Sequence, residues 1–169
     1  MINKKLSLDG LVFKATKIDV SKNILTITLN RPEKKNALNN VMVNEINYAL
    51  AYAKQERGIR VVVIAAEGDI FCAGADLNRT ESDSNVPKLD GAEDISIAIR
   101  HLYKPVICKI QGSVLAGALL MVTNATHAIA IKEAKFSAPE IKRGLWPFMV
   151  MAGLFRVMPK RAGLDFIMR

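Results

Sequence analysis

The chain has 169 residues, half of them hydrophobic, and 24 Lys and Arg against 16 Asp and Glu give a formal charge of +8. That length supports one domain with a substantial core, and no apolar run approaches the roughly 20 residues that a membrane-spanning helix needs. The two cysteines, Cys72 and Cys108, each sit in an apolar segment, which reads as reduced thiols and not as a disulfide framework.

The charged start, Met1-Ile2-Asn3-Lys4-Lys5, leads into no long apolar stretch, so no signal peptide is expected and a cytoplasmic location follows. Residues 11–19 alternate loosely, Ser21-Lys22-Asn23 reads as a turn, and Ile24–Leu29 alternates clearly, predicting an N-terminal hairpin. Asn39 or Asn40 can cap a helix in which Met42, Ile46, Ala49, Leu50 and Ala53 recur at helical spacing, with Gly58 after its end. A strand is predicted over residues 61–65, followed by a polar, mobile loop at 80–91 containing Pro87 and Gly91. Asp94 is placed to cap a helix burying Ile95, Ile99 and Leu102. A strand over Val106–Ile110, a helix from about 115 to 124 and a strand over 128–131 come next. Two further helices are predicted at 150–158 and 161–168. Strands alternating with helices predict an α/β domain.

Two of the strand-to-helix turns are rich in small residues: Phe71-Cys72-Ala73-Gly74-Ala75-Asp76-Leu77 and Gln111-Gly112-Ser113-Val114-Leu115-Ala116-Gly117. Small side chains let a ligand approach the backbone closely, and two such turns can aim N–H groups at one point. Paired donors of this kind stabilise a negative oxygen developing on a carbonyl. Either turn alone is equally well explained by tight packing.

Their order and flanks carry a resemblance. Thr28-Leu29-Asn30-Arg31-Pro32-Glu33-Lys34-Lys35-Asn36-Ala37-Leu38-Asn39 resembles the opening signature of the enoyl-CoA hydratase/isomerase (crotonase) superfamily. Ala73-Gly74-Ala75-Asp76-Leu77 is similar to the family's first oxyanion-hole segment, and the stretch from Lys104-Pro105-Val106-Ile107 to Gly117 resembles the second. Phe136-Ser137-Ala138-Pro139-Glu140-Ile141, then Gly144-Leu145, resembles the segment carrying a catalytic glutamate. The four motifs stand in family order from about Val12 to the chain's end.

The resemblance implies a spiral of ββα units that binds an acyl-CoA thioester, with coenzyme A entering as part of the substrate and no separate cofactor. It gives the backbone N–H groups of Ala75 and Gly117 the role of oxyanion hole and Glu140 that of general acid/base. Gly74, Asp76, Leu77, Asn78, Leu120 and Trp146 would line the substrate site, with Ala37 and Leu38 making backbone contacts in the adenine-contacting loop. A homotrimer or dimer of trimers is implied for a full-length protein. Relatives usually continue past the position of Arg169 with a helical region, so residues 1–169 are expected to form one acyl-CoA-binding domain incomplete at its C-terminus.

Three departures from the family pattern matter. Leu120 stands where two-glutamate hydratases carry their second glutamate, three residues after Gly117. Two carboxylates hold and polarise water for addition across a double bond, whereas one suffices to move a proton between carbons. Leu120 therefore favours isomerisation over hydration, and leaves a non-catalytic acyl-CoA-binding or assembly subunit as the contrasting reading. Thr126 stands where many relatives have an aspartate, and Asn78 where some place a lysine that reaches a coenzyme A phosphate.

Other residues point to less. Cys72 has no identifiable triad partner and reads as core. His101 and His127 have no second ligand at metal spacing, so no metal is predicted. Asp76 reads as bonding neighbouring backbone, and Trp146, Pro147, Phe148 and Met149 could wall the acyl pocket, though such a stretch is more often ordinary core. For the basic charge, a solvated surface ranks first and attraction of coenzyme A phosphates second. Nucleic acid ranks last, because the Lys and Arg residues are scattered without an Arg-rich run or interleaved aromatics.

Overall fold

A computed structural model describes residues 5–78, 87, 89 and 93–169. Strands β1 (Thr16–Ser21) and β2 (Ile24–Leu29) pair antiparallel, with Ser21 opposite Ile24. Lys22 and Asn23 join them in left-handed conformations, φ 48° and 67°, the geometry that lets a two-residue turn follow the strands' twist. In β2 the alternation read from the sequence is the burial pattern: Leu25, Ile27 and Leu29 are buried, and Thr26 and Thr28 are half-buried.

Every later pairing is parallel. Strands β3 (Val61–Ala66), β5 (Val106–Ile110) and β7 (His127–Ala130) extend the first sheet in the order β1-β2-β3-β5-β7. A second sheet, β4-β6-β8, is built from β4 (Ile70–Cys72), β6 (Ser113–Leu115) and β8 (Phe136–Ser137). Helices α1 (Asn40–Gln55), α2 (Ile95–Arg100), α3 (Leu119–Asn124) and α4 (Phe148–Val157) each follow a pair of strands, and α5 (Lys160–Met168) follows α4. The fold is thus a mixed α/β spiral of ββα units.

Helix α1 begins at Asn39, whose side chain accepts from the Met42 N–H at 2.9 Å. It buries Met42, Ile46, Ala49, Leu50 and Ala53, the residues marked by helical spacing. Its other end is closed by Lys104, whose ammonium donates to the carbonyls of Ala53 and Glu56 at 2.5 and 2.8 Å. Burial holds the Lys104 pKa below its ordinary value, despite the nearby Glu56. The fully buried Glu45 ties α1 to the start of β1: its carboxylate accepts from the N–H groups of Lys14 and Ala15 and from the Thr16 hydroxyl.

The sequence reading misses the second sheet entirely. Strands of two or three residues are too short to display a period, and the helix expected from about 115 overlaps only the last residue of β6. That helix opens instead as a 3-10 turn over Ala116–Ala118, preceded by extended backbone. The first strand lies at Thr16–Ser21 rather than 11–19, and the strand expected at 128–131 starts one residue earlier. Of the loop expected at 80–91, only Pro87 and Leu89 fall among the described residues. Ile129, Leu145, Phe148, Met149, Val157 and Met168 expose large apolar side chains. None of the described helices is long and apolar enough to cross a membrane.

Candidate active site

The small parallel sheet organises the site. Ala75 follows the end of β4 by three residues, Gly117 the end of β6 by two, and Glu140 the end of β8 by three. Val114 pairs with Phe136 and Leu115 with Ser137, while Cys72 pairs with Val114, so the three strands end side by side. The carboxyl edge of a parallel sheet, where chains diverge into loops and helices, is where α/β folds bind ligands.

The Ala75 segment is held by the loop that follows β2. Leu38 and Ala75 form an isolated parallel bridge: Leu38 N–H donates to the Gly74 carbonyl at 2.8 Å, and Asp76 N–H to the Leu38 carbonyl at 3.0 Å. This pattern uses the atoms on either side of Ala75 and leaves Ala75's own N–H outside the ladder among the described residues. Ala73 N–H donates to the Lys35 carbonyl at 3.0 Å. The Ala37 and Leu38 backbone groups are therefore engaged within the chain: the Ala37 carbonyl accepts from Arg31 at 2.7 Å.

Two residues absent from the site reading make that loop rigid. Asn36 is fully buried with φ 52°, a region asparagine tolerates better than most residues. Its side chain accepts from Arg31 N–H and donates to the carbonyls of Glu67 and Ile70, each at 2.8 Å. Arg31 pairs with Asp76 at 3.1 Å, with both side chains largely buried. The Asp76 carboxyl lies below its ordinary pKa, chiefly because Asn78 N–H donates to it and next because of Arg31. A buried Asn in a loop and an Arg–Asp pair distant in sequence leave no periodic signal; the Arg31-to-Asn36 stretch of the opening motif was the only pointer.

Gly74 brings the two small-residue turns together. Its φ is +90°, and a Cβ there would stand 2.8 Å from the Ala116 Cβ and 3.2 Å from the Gly117 nitrogen. Glycine thus meets both a backbone and a packing requirement. Gly117 differs: a Cβ on it would meet nothing within 4 Å. As the second residue of the 3-10 turn, Gly117 has no intrahelical acceptor for its N–H.

That open space is part of a cavity of about 350 Å³. Ala75 and Gly117 line it together with Leu38, Leu120, Met121 and Met149, and α2 contributes Ile95 and Ser96, preceded by Asp94. The volume falls within the usual range of small-molecule sites. Four of the expected site residues therefore face one space: Ala75, Gly117, Leu38 and Leu120. Gly74 stands behind it as packing.

The other expected residues lie elsewhere. Glu140 sits in a 3-10 turn, Pro139–Arg143, closed by Gly144 at φ 72°, and does not line this cavity. Its Oε2 is buried without a hydrogen-bond partner among the described residues. Trp146 is 39 % exposed and also off the cavity wall, which Met149 of the same stretch does line. Leu77 and Asn78 are exposed. Thr126 has a structural role: its hydroxyl accepts from Val106 N–H at 3.0 Å while its own N–H donates to the Val106 carbonyl at 2.8 Å, closing the β5–β7 pair. Cys72 and Cys108 are buried free thiols, and burial pushes both pKa values up to about 12.

This ββα spiral superposes on solved enoyl-CoA hydratase/isomerases. An enoyl-CoA hydratase/isomerase from Mycobacterium paratuberculosis superposes with a TM-score of 0.80 at 28 % identity, over 93 % of this chain and 63 % of that one. The sequence profile of the enoyl-CoA hydratase/isomerase family matches residues 19–169. The chain is 32 % identical to a 1,2-epoxyphenylacetyl-CoA isomerase of Escherichia coli, over 76 % of this chain and 52 % of the relative. It is equally similar, 32 %, to a mevalonyl-coenzyme A hydratase of Aspergillus fumigatus, over 72 % of this chain and 46 % of the relative. The chain belongs to the enoyl-CoA hydratase/isomerase family of the crotonase superfamily, and spans about half the length of these curated relatives.

Proposed function

We propose that this chain is an acyl-CoA enzyme that holds a thioester carbonyl oxygen between the N–H groups of Ala75 and Gly117 and moves a proton along the acyl group with Glu140. The observation that supports this reading most is the placement of all three residues just beyond the carboxyl ends of adjacent strands of one small sheet, although Glu140 stands off the wall of the cavity that Ala75 and Gly117 line. Two fixed donors aimed at the developing negative oxygen lower the cost of an enolate; losing one such donor typically costs about 10²–10³ in rate.

In this reading Glu140 takes a proton from C2 of a 3-enoyl thioester, and the electrons spread over a dienolate whose oxygen faces the two donors. Returning the proton at C4 leaves the double bond between C2 and C3, with no atom gained or lost. Leu120 on the cavity wall favours this reaction over hydration, because it stands where two-glutamate hydratases carry the second glutamate that holds water; the carboxylate that does line the cavity, Asp94, comes from the start of α2 instead. Coenzyme A belongs to the substrate, and no further cofactor is needed. Relatives are named both as isomerases and as hydratases, so the family alone does not choose.

Incubation of the purified protein with a 3-enoyl-CoA and, separately, crotonyl-CoA tests the reading. Faster conversion of the 3-enoyl ester supports it. Faster hydration of crotonyl-CoA overturns the argument from Leu120, and binding of both esters without turnover favours a non-catalytic acyl-CoA subunit.

A further inference from the structure

We propose that Ala116 is a positioning residue: its left-handed backbone aims the Gly117 N–H at the cavity, and its methyl, seated against Gly74, sets the span between that donor and the Ala75 N–H. The proposal rests on the two-donor reading above. Ala116 has φ 53°, in the left-handed region that glycine enters freely and an L side chain opposes. It stands where the chain leaves β6. Leu115 is still extended, at φ −122° and ψ 145°, and Ala118 is already helical, at φ −63° and ψ −26°. The strain thus falls on the residue between the strand and the donor Gly117.

The peptide between Ala116 and Gly117 is oriented by the torsions of Ala116, so this conformation decides where the Gly117 N–H points. Gly117 lines the cavity together with Ala75. The methyl of Ala116 relates the two. A Cβ built on Gly74 would stand 2.8 Å from the Ala116 Cβ, so the methyl lies against the bare face of Gly74. Gly74 is itself held, because its carbonyl accepts from the Leu38 N–H at 2.8 Å. Strands β4 and β6 pair up to Cys72 and Val114, and among the described residues no backbone hydrogen bond joins residues 73–77 to residues 116–118. Van der Waals contact between Ala116 and Gly74 therefore gauges the distance between the two donor turns.

Backbone strain by itself favours glycine at this position. What glycine does not supply is a fixed turn. Without the Cβ, the peptide ahead of Gly117 gains accessible orientations, and the stop against Gly74 is lost. Two donors serve an oxyanion only when both lie about 2.7–3.1 Å from it, so a small drift of one weakens polarisation more than it weakens folding. A misplacement of about 1 Å can cost roughly 10²-fold in rate. Ala116 is not on the cavity wall; it acts through Gly117 and Gly74.

A conjugated thioester reports its own polarisation as a red shift of its absorbance, so cinnamoyl-CoA is the probe, with thermal melting measured alongside. Ala116→Gly is expected to melt at or above the wild-type temperature, to bind cinnamoyl-CoA within about three-fold of wild type, and to lose about half of the red shift or more. Ala116→Ser keeps a Cβ against Gly74 and is expected to keep the red shift. A full red shift in Ala116→Gly would overturn the proposal and leave the two-donor reading intact, as would loss of the shift in both folded variants. A melting temperature of Ala116→Gly that falls together with its red shift would assign Ala116 to packing and equally overturn the proposal. A wild type that leaves the cinnamoyl-CoA spectrum unchanged would overturn the two-donor reading and this proposal with it.

Discussion

Arg31 bonds Asp76 across 45 positions of sequence, and the same guanidinium nitrogen donates to the Ala37 carbonyl. One side chain thereby locks the loop after β2 to the segment that carries Ala75. The Asp76 side chain is only 15 % exposed, so the pair is shielded from solvent. Asp76→Asn is expected to cost about 1–2 kcal/mol in urea unfolding at neutral pH. The folded-state pKa of Asp76 lies below its unfolded value, so its stabilisation is fully present above the ordinary carboxylate value of 3.8 and is lost as pH falls through the lower folded value. The difference between wild type and variant should therefore shrink in acid; a constant difference down to pH 2 would show that the charge of Asp76 is irrelevant.

Gly74 and Gly117 should respond oppositely to alanine. Gly74→Ala forces an L-residue into φ +90° and drives its Cβ against Ala116 and the Gly117 nitrogen. A loss of about 1–3 kcal/mol is expected, read from the urea midpoint. Gly117→Ala meets no neighbouring atom and should change stability by less than about 1 kcal/mol. Its methyl projects where the protein leaves open space, so acyl-CoA affinity should fall while melting temperature holds. Equal destabilisation by the two changes would contradict the packing described for this turn.

Glu140→Gln keeps the side chain's shape and removes its capacity to exchange a proton. Turnover of a 3-enoyl-CoA should fall by 10²-fold or more while ester binding stays within a few-fold. Near-full activity would transfer the proton-moving role to another group.

Cys72 and Cys108 should resist thiol reagents at pH 8 in the folded protein. Both are fully buried, and pKa values of about 12 leave almost no thiolate at that pH. Titration with a chromogenic disulfide should show two reactive thiols in denaturant and none on the same timescale without it. Rapid native labelling of either cysteine would mean that its segment opens readily.

The long elements and the chemistry-bearing segments were legible in the sequence because local rules govern them. The alternation of β2, the helical spacing and asparagine cap of α1, and the apolar run of β5 each repeat over several residues, so pattern alone marks them. Four motifs in order were enough to name the family. The three strands that bring Ala75, Gly117 and Glu140 to one edge are two or three residues long, and pairing with distant neighbours makes them strands. The same holds for Arg31 and Asn36, whose partners lie as far as Ile70 and Asp76 along the chain. Which residues share the cavity was likewise settled by packing: Met149 reaches its wall and Trp146 does not, although both stand in one apolar stretch. Local propensity acts over a helical turn or a strand's length, whereas a binding site is closed by contacts between segments tens of residues apart, and only the folded chain fixes those.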